Sequence, residues 1–203
     1  MKFIKIKKIT ANCDYSPPIA TNANNQIIRL LAVIFCLGSA PALKASPNPS
    51  PAPIETYISS PELVGEATLK VMLWNIFDAE LYAPSGDFDS DKPFALALEY
   101  RRNFSSQSIV EETIKQIENQ RLADDSAIAI WRSELESIIP DVKSGMTITG
   151  IRTHDGHTVF YNNDELSGRI KDQRFTRLFF NIWIGDKSSR PELRRKLLGY
   201  TQS

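Results

Sequence analysis

A tyrosine and an arginine, Tyr100 and Arg102, close an alternating segment that begins at Phe94. On a strand every second side chain faces the same way, so Phe94, Leu96, Leu98, Tyr100 and Arg102 share one face. Three apolar groups followed by a phenol and a guanidinium describe the wall of a pocket for an acyl chain or a ring. Arg102 would pair with a carboxylate through a charge-assisted fork, and Tyr100 would donate a hydrogen bond. Binding pockets are built in this way, mostly apolar with few convergent polar groups. The plainer alternative places Arg102 in water at the strand end, or beside Glu99. Asn75 interrupts the apolar face of Leu69–Tyr82, and a buried amide needs partners. A bulged backbone or a ligand would supply them.

Other chemistry finds less support. Asp78 and Glu80 share a strand face and could work as an acid–base pair, but solvated strand polarity accounts for them better. His154 and His157 flank a turn as H-D-G-H with no third ligand in view, whereas zinc sites use at least three protein ligands. No metal is expected. The chain has no G-x-G-x-x-G, no Walker loop and no G-x-S-x-G elbow, so neither a nucleotide cofactor nor hydrolase-type serine chemistry is expected.

The elements that hold these residues follow from periodicity. Odd positions from Leu69 to Leu81 are apolar except Asn75, which reads as one long strand, Leu69–Tyr82, containing a bulge or bend. Pro84–Pro93 is turn chemistry, and Phe94–Arg102 is the next strand. A helix over Ser108–Arg121 carries Val110, Ile114 and Ile117 on its inner face, with Ser108 and Glu111 as a capping box. A second helix, Asp125–Ile139, presents Ala127, Trp131, Leu135 and Ile138 before Pro140 stops it. Met146–Thr153 and His157–Asn162 form a hairpin around Asp155-Gly156. A helix over Asp172–Trp183 buries Phe175, Leu178, Phe179 and Ile182. A short last helix has Ser189 as cap, Pro191 in its first turn and Gly199 at its end. The order β–β–α–α–β–β–α–α implies an α+β fold, an antiparallel sheet with helices gathered on one side.

Upstream the chain reads differently. Leu30–Leu37 is an eight-residue apolar run, LLAVIFCL, preceded by Arg29 and followed by small residues. That is a secretory signal, with cleavage near Ala42 or Ala45, and it predicts a periplasmic or secreted protein. The run is too short for a good spanning helix, which needs about 20 apolar residues, so no stable membrane span is expected after cleavage. Both cysteines, Cys13 and Cys36, fall in this leader, leaving no disulfide or thiolate chemistry downstream. Residues 46–60, opening with SPNPSPAPI, read as a proline-rich tether, with the folded domain over 61–203. Of the 24 basic and 24 acidic residues, six basic and one acidic lie in 1–45, which leaves 18 against 23, a net of −5. A mildly acidic body disfavours nucleic acid, whose phosphates call for a basic patch.

The segments LVGEATLKV, DAELYAP, IIPDVKSG, FYNN and GRIKDQRFTRLFFNIWIGDKSSRPELRRKLLG resemble, in order, those of bacterial chalcone isomerase-like proteins. The resemblance runs from about Pro61 to Gly199 and points to the exported branch. It implies an open-faced β-sandwich, a long antiparallel sheet with helices on one face and a ligand cleft between them. The wider superfamily includes isomerases that close the flavanone ring of a chalcone and proteins that bind fatty acids without catalysis. In both, an arginine early in the first long strand contacts the ligand's oxygens, helped by a tyrosine and a threonine. Here Thr68, Leu69 and Lys70 stand where that arginine is expected, and Lys70 cannot make its planar two-pronged contact. The resemblance therefore implies a non-catalytic binder of a small apolar acid such as a fatty acid, with Arg102, Tyr100, Lys70, Asn75 and Thr68 as candidate ligand contacts. An intramolecular isomerase and a structural or partner-binding envelope protein are the alternatives.

Overall fold

A computed structural model of the chain describes residues 52–200; the expected leader, its expected cleavage site and the start of the proline-rich stretch lie outside the described residues. Six strands form one antiparallel sheet in sequence order: β1 (Pro61–Val71), β2 (Trp74–Pro84), β3 (Phe94–Tyr100), β4 (Thr147–Arg152), β5 (Thr158–Asn162) and β6 (Glu165–Ile170). Helices α1 (Ser106–Glu118) and α2 (Asp125–Ile138) are inserted between β3 and β4, and α3 (Gln173–Ile184) and α4 (Pro191–Leu197) follow β6. The expected α+β class is the observed one.

The single strand read over Leu69–Tyr82 is a hairpin instead. Val71 pairs with Trp74, so Met72 and Leu73 alone make the turn, and Met72 takes a positive φ of 55°. That position normally carries Gly or Asn, so nothing in the residue types announced a turn. Strand β6 was likewise unread, its ELSGRI too short and polar to stand out. The first helix starts earlier than its expected box: Ser105 is the N-cap and its hydroxyl accepts from the Ser108 amide. The cap of α4 is Arg190, without a side-chain bond, rather than Ser189.

The helices share one face of the sheet. Val110, Ile114 and Ile117 of α1, Ile128, Trp131 and Leu135 of α2, and Phe175, Leu178 and Phe179 of α3 are buried there with Phe77, Ala79, Leu81, Leu96 and Phe160. Glycine lets two helices come close. A Cβ on Gly65 of β1 would lie 2.2 Å from the Lys196 carbonyl oxygen of α4, and one on Gly168 of β6 would lie 2.6 Å from Ile138 of α2. Aspartates fix two helix starts. Asp124 accepts from the Ala127 amide, while Asp172 accepts from the Arg174 and Phe175 amides and from Trp131 Nε1 at 2.9 Å. These bonds tie α2 to the beginning of α3.

Part of the sheet's other face is covered as well. The expected tether ends in structure: residues 52–60 start with a 3-10 turn (Ala52–Thr56) and bury Ile54 and Ile58 against Tyr82, Ala95, Ala97 and Ile151. Tyr57 meets Tyr161 edge-on, with their hydroxyl oxygens 3.2 Å apart.

Candidate functional site

A cavity of about 460 Å³ opens between the helices and the sheet end where β1 turns into β2. Leu69 and Val71 of β1, Ile76 and Phe77 of β2, and Leu98 and Tyr100 of β3 form its floor. Ile109 and Thr113 of α1, Ile182 and Trp183 of α3, and Leu193 of α4 form its roof. Polar groups border it from the helical side: Ser108, Glu112 and Gln116 of α1, with Ser189 and Arg190 just before α4. Among the described residues, no histidine or aspartate lines it.

The floor depends on a bulge. Leu69 pairs with Phe77 while Lys70 pairs with Asn75, leaving Ile76 as an extra residue on β2. Both Ile76 and Phe77 thus reach the cavity, and the alternation that had put Asn75 on the apolar face is broken. Asn75 is exposed, and its expected buried partners are not needed.

Of the five candidates from the sequence, Tyr100 alone borders the cavity. It is buried, set edge-on between Phe77 and Phe104 with ring centroids 6.0 and 5.8 Å away. Burial alone pushes its hydroxyl far above the usual tyrosine range, with no hydrogen bond contributing. The phenol keeps its proton at physiological pH and is a donor with no acceptor supplied by the described residues.

The other four lie elsewhere. Arg102 follows the end of β3, is exposed, and stacks on Trp74 with Cζ 4.2 Å from the ring centroid, so the shared face read from Phe94 to Arg102 ends at Tyr100. Phe94 and Leu96 belong to the packed core rather than to a pocket wall. Thr68, Lys70 and Asn75 are exposed, on the face opposite to Ala67 and Leu69. Thr68 donates to Asp78 Oδ1 at 2.5 Å, and Arg101 bridges Asp78 and Glu99. Burial opposes ionisation of Asp78, but the Thr68 and Arg101 hydrogen bonds outweigh it and hold its pKa low. Asp78 is thereby part of a surface ion-pair network, not an acid–base couple. The H-D-G-H turn joins β4 to β5 at the sheet end away from the cavity.

Sequence reasoning missed Arg190. It reads as part of a helix start, and only the packing of α4 on β1 brings it to the cavity rim. Its backbone N–H donates to Ser188 Oγ at 3.2 Å, which fixes the chain there, and its guanidinium forms no ion pair among the described residues. The available signal was an arginine directly followed by a proline, whose ring disfavours helical backbone at the residue before it.

The profile of the chalcone isomerase-like family matches residues 61–199. The chain belongs to the chalcone isomerase-like family. Among solved structures it is similar to a fatty-acid binding protein of Arabidopsis thaliana, with a TM-score of 0.57 at 12% identity over 70% of this chain and 88% of that one. At that identity the likeness establishes the fold. A search of curated proteins finds no match. No described helix is long and apolar enough to cross a membrane.

Proposed function

We propose that this chalcone isomerase-like protein is a non-catalytic binder of a small apolar acid of the fatty-acid type. The observation that carries the reading is the cavity itself: an apolar chamber in the pocket size range, with an unpartnered phenol in its floor and an ion-pair-free guanidinium at its rim. An acyl chain would lie among Leu69, Leu98, Ile109 and Leu193. Its carboxylate would take a charge-assisted bond from Arg190, with Tyr100 and Gln116 as neutral donors. The related Arabidopsis fold is that of a fatty-acid binding protein, which favours this reading over the isomerase. The walls are mostly apolar, with Ser108, Gln116 and Ser189 as neutral polar groups and the Glu112 carboxylate on the same helix as Ser108. Export supplies the setting: a signal cleaved near Ala42 or Ala45 would deliver the cysteine-free domain to the periplasm or outside the cell.

Native mass spectrometry of the protein purified from cells tests the ligand: co-purified mass matching a fatty acid is expected, and added fatty acid should raise the melting temperature. A chain that arrives empty, shows no melting shift with fatty acids and turns over a chalcone is an isomerase instead. Fractionation with N-terminal sequencing tests export, and an uncut chain in the cytoplasm refutes it.

A further inference from the structure

The β1–β2 turn presents its largest apolar side chains to solvent. Met72 is 91% exposed, Leu73 94%, Trp74 59% and Val71 40%. Scattered exposed hydrophobics are ordinary, whereas a continuous exposed run marks a contact surface. This run also occupies a two-residue turn with a positive φ at its first position, where small or polar residues are favoured. Trp74 carries the Arg102 guanidinium on its ring, and Lys70 stands one residue before Val71. Neither cation forms an ion pair among the described residues. An apolar tip with tryptophan and long cationic side chains just behind it matches the layering of a bilayer interface: acyl region, aromatic belt, headgroups. The tip is also continuous with the cavity, because Val71, next to Met72, is part of the cavity floor.

We propose that the β1–β2 tip docks on a lipid bilayer and sets the open end of the cavity against it, so that an apolar ligand passes between membrane and protein without crossing bulk water. The proposal rests on the reading of the cavity as a site for an apolar acid. A second copy fits the tip less well. Tip-to-tip contact would bring the Lys70 and Arg102 of two chains together, and four residues fall far short of the roughly 800 Å² per partner of a stable interface. The body's net negative charge means that insertion of Met72 and Leu73, not attraction to anionic lipid, drives docking, which therefore persists on zwitterionic vesicles and at high salt.

The test uses the full chain with Cys13→Ser, Cys36→Ser and Met72→Cys, carrying the fluorophore NBD at position 72, mixed with phosphatidylcholine vesicles. The emission is expected to shift to the blue and to be quenched by nitroxide-bearing acyl chains. The same probe on Ser90→Cys, in the exposed loop at the far end of the sheet, is expected to stay in water. Leu73→Asp lowers vesicle affinity of the tip roughly tenfold to a hundredfold, and Leu73→Ser, milder for folding, lowers it in the same direction. A position-72 probe that remains in water overturns the docking, even if another segment holds the chain on the vesicle. Equal quenching at 72 and 90 overturns it too, as does a concentration-dependent blue shift without lipid, the signature of a second copy. Fatty-acid binding measured without vesicles separates the two readings. Wild type that binds no fatty acid overturns the cavity reading whatever the probe reports, and a probe left in water overturns docking whatever the cavity binds.

Discussion

Replacing Arg190 with glutamine removes the cation at the cavity rim while leaving a side chain of similar reach. A hydrogen bond to a charged group contributes about 1.5–3 kcal/mol when shielded. Arg190 is exposed, so solvent screening reduces the effect to about 1 kcal/mol. At 1.4 kcal/mol per factor of ten, that is roughly a fivefold loss of affinity. The informative comparison crosses the variant with the ligand's charge. Displacement of a fluorescent fatty acid should show Arg190→Gln binding a free fatty acid about fivefold more weakly, by that same conversion, while binding of the matching fatty alcohol hardly changes. Raising the salt should shrink the difference for the acid, since the contact is at the surface. Equal weakening of acid and alcohol would mean that the substitution merely disturbs the cavity, and no weakening of the acid would place its carboxylate elsewhere. Either result refutes Arg190 as the anchor.

Tyr100→Phe removes a hydroxyl that bonds to nothing in the protein, so the melting temperature of the ligand-free chain should stay within a degree or so, while affinity for the acid drops by about 0.5–1.5 kcal/mol in titration. A large fall in stability would show that the phenol is structural. Gly65→Ala sets a Cβ against the carbonyl of Lys196 at 2.2 Å, with backbone rather than a flexible side chain in the way. A cost of about 2–3 kcal/mol and a drop of roughly 5–10 °C in thermal unfolding are expected, and an unchanged Tm would contradict the close seating of α4 on β1. For Asp172, burial raises the pKa, but the Phe175, Trp131 and Arg174 donors outweigh it and the net shift is downward. Its contribution to stability is thus present above the ordinary value of 3.8 and is lost as pH falls through the lower folded value. Asp172→Asn keeps a capping oxygen but does not titrate, so its stability should fall less steeply below about pH 4 when Tm is followed by circular dichroism; matching acid limbs would refute the assignment.

The helices were legible because each places its apolar residues at helical spacing, and Val110, Ile114 and Ile117 needed no tertiary information to be found. The β1–β2 hairpin was not. Its turn is Met-Leu, and the alternation of Leu69–Tyr82 runs through it without a break in residue type. The bulge at Ile76 then reversed the face assigned to Asn75. Tyr100 was found because it still belongs to the regular part of β3, and Arg102 was misplaced because the strand ends before it. A pattern two residues long cannot show where pairing stops. Arg190 was out of reach for another reason. It is remote in sequence from Tyr100, and only the contact of α4 with Gly65 brings the two to one cavity. Local periodicity carries the secondary structure, whereas the site is assembled by packing.

The segment at residues 52–60 shows that kinship and burial draw different borders around this domain. The family match begins at Pro61, yet Ile54 and Ile58, which precede it, are almost completely enclosed. A chain trimmed to the edge of the match would keep every strand and α-helix and still leave a greasy strip along Ala95, Ala97 and Ile151 facing water. Such a fragment would stick to itself or to any hydrophobic surface offered to it. Its behaviour in a lipid or dimerisation assay would then report the wound, not the protein.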